Sequence, residues 1–138
     1  AVLAKEHAAV FVPGDHGSTF GGNPLTCAAA HATVRYVIDN DVPANARRIG
    51  AYLLDGLRDL QAKYGFISDV RGRGLLAAIE FDREIGQEAL EACLAEGLLV
   101  NRVQPNALRF MPMLTIGEGE VDEALAIVDK ALATLATE

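Results

Sequence analysis

The strongest constraint on the fold is an apolar stripe. Ala46, Ile49, Gly50, Leu53, Leu57, Leu60 and Tyr64 recur with helical spacing after Pro43. They give a helix one continuous apolar face that must be buried against another layer. Pro43 suits the first turn of that helix and Gly65 is expected to close it as the C′ residue. An earlier helical stretch runs from Asn23 to about Asn40, with Ala28, Ala29, Ala32, Tyr36 and Val37 in phase. Beyond Gly65 the period changes. Ile67–Val70 and Leu75–Phe81 read as strands on either side of an Arg71-Gly72-Arg73-Gly74 turn. The unbroken apolar run Leu75–Ile79 suggests a strand buried on both faces or nearly so. A short helix at about Gln87–Glu96 ends at Gly97. Leu98–Val103 and Ala107–Met111 then pair through Gln104-Pro105-Asn106. Val121, Leu125, Val128, Leu132 and Leu135 mark a last helix, whose first turn carries Glu118, Glu120, Asp122 and Glu123 toward the positive end of the helix dipole. This order predicts an α+β fold, with helices covering one face of a small, mostly antiparallel sheet. Residues 1–12 read as the end of a strand plus a connector.

Composition excludes several classes. At 138 residues, 51% hydrophobic and 22% charged, the chain has an ordinary globular profile and length enough for one core. No apolar run approaches the roughly 18–20 residues of a membrane helix. A net charge of −7 argues against nucleic acid and anionic membrane surfaces as partners. Cys27 and Cys93 sit in helical apolar patterns without C-x-x-C spacing, so two buried free thiols in a reducing cytoplasm are expected rather than a disulfide. His7, His16 and His31 have no metal-ligand spacing, and no metal site is expected. The opening Ala1-Val2-Leu3-Ala4-Lys5 has neither Met nor an export leader, and reads as a start inside a longer protein.

The run His16-Gly17-Ser18-Thr19-Phe20-Gly21-Gly22-Asn23-Pro24-Leu25 carries the chemistry. Glycines at 17, 21 and 22 let backbone approach a ligand, Asn23 is a good N-cap, and Pro24 is pre-set for the first helical position. Backbone N–H groups and two hydroxyls at a helix start suit an anionic oxygen such as a phosphate. An ordinary glycine-rich turn before a helix would have the same composition.

This run, continued by Cys27-Ala28-Ala29-Ala30, resembles the corresponding segment of the ornithine-type, class III pyridoxal-phosphate aminotransferases. Two further stretches agree: Val70-Arg71-Gly72-Arg73-Gly74-Leu75, and Gly97-Leu98-Leu99-Val100-Asn101 leading to Leu108-Arg109-Phe110-Met111-Pro112. The resemblance covers Ala1 to about Leu135 in the right order, and it is to the C-terminal third of such enzymes. It implies the C-terminal small domain of a fold-type-I pyridoxal-phosphate enzyme. Residues 1–22 would then be a remnant of the large cofactor-binding domain with its phosphate-contacting loop. Residues 23–138 would be the first long interdomain helix and the small domain. It also implies pyridoxal 5′-phosphate as cofactor, amino and keto acids as substrates, a cytoplasmic location, and a homodimer with the cofactor site at the subunit interface.

By the same resemblance, Thr19 donates its hydroxyl to the cofactor phosphate of the neighbouring subunit, and Ser18 lies near substrate and phosphate. Either hydroxyl could instead bond its own loop. Arg109 stands where the family's arginine takes the α-carboxylate in a bidentate pair, a task for a planar fork. Between Leu108 and Phe110 in a strand, its charge needs a partner, unless it turns out to solvent on an edge. Arg71 and Arg73 are expected to pair with nearby carboxylates or the other domain, and for Asn101 and Arg102 structural and pocket roles stay open. No catalytic residue is expected in this chain. The family's Schiff-base lysine would lie before Ala1 in an Ala-Lys-Ala-Leu-Gly-Gly-type stretch, Lys5 is not that lysine, and the piece alone should be inactive. The rival expectation is a non-catalytic interaction module that kept the fold; the intact Thr19 and Arg109 motifs favour the enzyme.

Overall fold

The computed structural model describes residues 5–136. It comprises two compact units, one up to Asp39 and one from Asn40 onward.

In the first unit a short 3-10 turn at Glu6–Ala8 leads through an irregular segment to helix α1, Pro24–Asp39. No strand forms in residues 5–12, so the expected strand end is not found there, and Ala1–Ala4 fall outside the described residues. The start of α1 is fixed as its sequence dictates. The Thr26 N–H donates to Asn23 Oδ1 at 3.0 Å, which satisfies one of the helix's orphan donors. No residue of α1 is buried, because its own unit offers no second layer. Cys27 is therefore exposed, against the expectation of burial, whereas Cys93 in the second unit is buried; both thiols are free.

The second unit is a layer of helices on an antiparallel sheet. Helix α2 spans Val42–Lys63, followed by strands β1 (Ile67–Arg73) and β2 (Leu76–Phe81), helix α3 (Gly86–Ala95), strands β3 (Asn101–Gln104) and β4 (Ala107–Phe110), and helix α4 (Glu118–Leu135). The strand order is β1-β2-β4-β3, every pair antiparallel. The α2 stripe is buried as its spacing requires. Ile49, Leu53 and Leu57 join Ile79, Phe81 and Leu108 of the sheet and Val121, Val128 and Leu132 of α4 in one core. Each such side chain contributes about 1.5–3 kcal/mol by leaving water.

Several expected boundaries move, each for a local reason. β1 runs on through Arg71-Gly72-Arg73, and the hairpin turn is only Gly74-Leu75, with Gly74 at φ +57°. A left-handed first central residue is what a two-residue hairpin asks for. Gly72 is a strand residue paired with Ala77, and glycine fits there because a Cβ would lie 2.5 Å from the Leu76 carbonyl oxygen. β2 is buried on one face only: Ala77, Ile79 and Phe81 point into the core, while Leu76 is exposed and Ala78 half-buried. Gly65 does not adopt a positive φ; α2 stops on Tyr64 in extended conformation, whose carbonyl accepts the Ile67 N–H at 3.0 Å. Gly97 does close α3, at φ +93°. Its N–H bonds Leu94 O and the next N–H, of Leu98, bonds Cys93 O, the two hydrogen bonds of a Schellman motif. β3 then starts at Asn101, later than expected, after an irregular Leu98–Val100 lead-in.

The end of α2 is tied to α4 by polar contacts. Lys63 Nζ lies 2.7 Å from both carboxylate oxygens of Asp129, and the buried Tyr64 hydroxyl donates to Asp129 Oδ1 at 2.7 Å. Lys63 first, and Tyr64 next, hold the Asp129 carboxyl below its ordinary range.

Candidate functional site

The register of the sheet builds the site. Arg71 pairs with Ala78, Ala78 with Arg109, and Arg109 with Asn101, so these positions form one row across all strands. Alternation puts the row on the face away from the helices, because Leu108 and Phe110, which flank Arg109, are buried. Arg109 is half-buried in a shallow depression that it shares with Arg71, Gly72, Arg73, Leu76 and Ala78. The small side chain of Ala78 leaves open space beside the guanidinium.

The two arginines of the row differ in how they are satisfied. Arg71 Nη1 donates to Asp69 Oδ2 and to Glu80 Oε2, each at 2.7 Å. Asp69 first, then Glu80, makes its proton harder still to remove. Its charge is matched within the sheet, as expected for a structural arginine. Arg109 Nη2 donates to the Asn101 side-chain oxygen at 2.9 Å, and its Nε is buried with no partner. An unpaired buried donor costs about 1–3 kcal/mol, so this guanidinium is left with hydrogen-bonding capacity that the sheet does not use. Arg109 is half-buried against this face rather than fully extended into solvent. Arg73, given no preference over Arg71 by sequence reasoning, adds a second cation at the rim. Asn101 lies on Arg109, whereas Arg102 is paired with Leu108 and so faces the other side. The signal for Asn101 is its cross-strand register, and register was not legible before the β3 bulge was placed.

The loop of the first unit is held by its own side chains. Ser18 Oγ accepts the Gly21 N–H at 3.0 Å, Asn23 Nδ2 donates to Phe20 O at 2.9 Å, and Gly22 takes φ +74°. Asp15, the carboxylate nearest in sequence, is turned to its own backbone and accepts the Val12 N–H at 2.9 Å. Thr19 is exposed on this loop. The donor set is hydroxyls and backbone amides, a set chemically suited to an anion. Among the described residues no group of three or more His, Cys, Asp or Glu is placed to hold a metal ion. No helix among them is long and apolar enough to cross a membrane.

The sheet order, the open-face arginine and the glycine-rich loop together define the class. Residues 1–132 match the aminotransferase class-III family, and the chain belongs to it. Its α+β unit is the small domain of these fold-type-I transferases. Among particular proteins, it is similar to the acetylornithine aminotransferase of Caldanaerobacter subterraneus subsp. tengcongensis, 44% identical over 135 residues, covering 98% of this chain and 34% of that protein. The solved acetylornithine aminotransferase of Elizabethkingia anophelis superposes with a TM-score of 0.81 at 34% identity, over 90% of this chain and 33% of the other. An ornithine aminotransferase of Toxoplasma gondii, whose active site holds PLP at partial occupancy, gives a TM-score of 0.79 at 34% identity, over 92% and 32%. The chain thus spans about a third of the length of the relatives it matches.

Proposed function

We propose that this chain is the C-terminal part of a pyridoxal-phosphate-dependent aminotransferase. The whole enzyme moves the terminal amino group of N2-acetyl-L-ornithine to 2-oxoglutarate, a step of arginine biosynthesis, in the cytoplasm. It works as a homodimer with its cofactor site at the subunit interface. The observation that carries this reading is Arg109, whose half-buried guanidinium keeps a buried, unpartnered Nε beside an open depression. Residues 1–22 then belong to the edge of the large cofactor-binding domain, and residues 23–138 to the interdomain helix and small domain.

Each residue has a defined task in this reading. Arg109 binds the α-carboxylate of the amino or keto acid and orients the rest of the molecule. Arg71, ion-paired with Asp69 and Glu80, stiffens the sheet beneath it. Thr19 donates its hydroxyl to the cofactor phosphate across the dimer interface. Ser18 holds the loop through Gly21 while its own O–H remains a donor toward substrate. Bound pyridoxal phosphate would supply the electron sink for amino transfer. Lys63 and Lys130, engaged with Asp129 and Glu96, do not fit the role of carrying it, and Lys5 does not stand in the family's lysine motif, so the segment alone is proposed to be inactive.

The test is a donor panel with the full-length aminotransferase that carries this segment, using 2-oxoglutarate as acceptor. Acetylornithine should give the highest kcat/KM among acetylornithine, ornithine, succinylornithine and 4-aminobutyrate. Ornithine is the second reading, favoured by the likeness to the Toxoplasma gondii enzyme. A higher kcat/KM for ornithine than for acetylornithine would adopt it, and absence of transfer from every donor would remove the aminotransferase reading.

A further inference from the structure

We infer that Asn101 is the positioning residue for the Arg109 guanidinium, and that its neutrality is what keeps Arg109 available to a carboxylate ligand. The inference rests on the reading of Arg109 as the carboxylate holder and adds how that arginine is aimed and kept unpaired.

The argument is a comparison within one row of the sheet. Arg71 and Arg109 flank Ala78 on the same face. Arg71 is met by two carboxylates at 2.7 Å, both on Nη1, which balance its charge. Arg109 is met by an amide oxygen, which accepts one hydrogen bond at 2.9 Å and cancels nothing. That bond takes Nη2, the outer nitrogen facing the edge strand β3. A planar guanidinium held at one nitrogen keeps a fixed orientation, and the group so held lines the depression, with its Nε buried and unpartnered. Asn101 stands directly across from Arg109 in an antiparallel pair, where side chains on one face are close neighbours. An aspartate at position 101 would reach the same nitrogen, yet it would form an ion pair like that of Arg71. A ligand carboxylate would then compete with a built-in one. A hydrophobic residue would leave the fork free to swing. An amide aims without neutralising.

Arginine Nε–H groups can be followed individually by 15N-edited NMR, so the full-length aminotransferase carrying this segment, titrated with 2-oxoglutarate, reports on Arg71 and Arg109 separately. The Arg109 Nε–H signal should shift saturably and the Arg71 signal should not. Asn101→Asp should weaken the apparent affinity about tenfold or more, since charge-assisted hydrogen bonds are the ones lost, and Asn101→Ala about 3- to 10-fold. Arg102→Ala, on the same strand but the opposite face, should leave the affinity unchanged and controls for damage to β3. If both Asn101 variants bind as the unaltered chain does, or if Arg102→Ala weakens binding equally, Asn101 is only an edge-strand residue and this inference is wrong. If Arg109 Nε–H does not respond even in the unaltered chain, the carboxylate reading of Arg109 fails and takes the inference with it.

Discussion

At residue 50 the absence of one methyl group sets the geometry of the second unit. An ideal Cβ on Gly50 would lie 2.2 Å from the Gly74 carbonyl carbon and 2.3 Å from its oxygen, so α2 and the β1–β2 turn meet backbone to backbone. Alanine normally stabilises a helix relative to glycine by about 1 kcal/mol. Here the sign should invert: Gly50→Ala should cost about 2–3 kcal/mol or more in urea unfolding, since backbone cannot yield as a flexible side chain does. Gly119, early in α4 with nothing within 4 Å of its would-be Cβ, is the matched control. Gly119→Ala should stabilise by about 0.5–1 kcal/mol. A neutral Gly50→Ala would mean the close approach is absent. Sequence reasoning placed Gly50 on the buried stripe correctly but could not see its partner, because the contact joins two segments far apart in the chain. Arg109 was legible as a strand arginine in need of a partner, and its unsatisfied Nε was not, since that depends on rotamer and register.

Among elements, the helices were legible and the strand ends were not. The α2 stripe and the α4 spacing each point to one buried face, and that is where Ile49, Leu57, Val121 and Leu132 lie. The Arg71-Gly72-Arg73-Gly74 run looked like a turn because glycine marks turns and close approaches alike. Gly72 serves the second purpose and Gly74 the first. The alternation in β2 was hidden by Ala78, a small apolar residue on the open face that reads as core. How α2 is fastened to α4 leads to a prediction about acid stability. Because Asp129 titrates lower in the folded chain, its pairing adds stability at neutral pH, and that stability is lost as pH falls through the folded value. Asp129→Asn should be less stable by no more than about 1 kcal/mol at neutral pH, the pair being partly exposed. The gap should narrow below about pH 4. Thermal unfolding of both proteins between pH 7 and pH 3 checks this, and an unchanged gap throughout would rule out the carboxylate as its source.

For the whole molecule, the apolar surface is the feature with consequences. Phe11, Phe20, Leu25, Val34 and Ile38 of the first unit and Leu99, Met111 and Met113 of the second are exposed. Large apolar patches on a chain drive association. Analytical ultracentrifugation at micromolar concentration should show dimers or larger species, and a clean monomer would contradict that expectation. The family and the fold class were legible in the sequence, and so were the residue types of the glycine-rich loop and of strand β4, because they rest on local motifs and periodicity. The row that joins Arg71, Ala78, Arg109 and Asn101 was not, because it exists only once four strands are in register. The measurement that bears most directly on the account compares two variants of the full-length aminotransferase carrying this segment. Arg109→Lys keeps the charge and loses the fork. Hydrogen bonds to charged groups are worth about 1.5–3 kcal/mol, so kcat/KM for 2-oxoglutarate should fall roughly 10- to 150-fold while cofactor retention hardly changes. Thr19→Ala should weaken cofactor retention first. If Arg109→Lys instead loses cofactor as readily as Thr19→Ala and its remaining holoenzyme handles 2-oxoglutarate normally, Arg109 is structural and the account is contradicted.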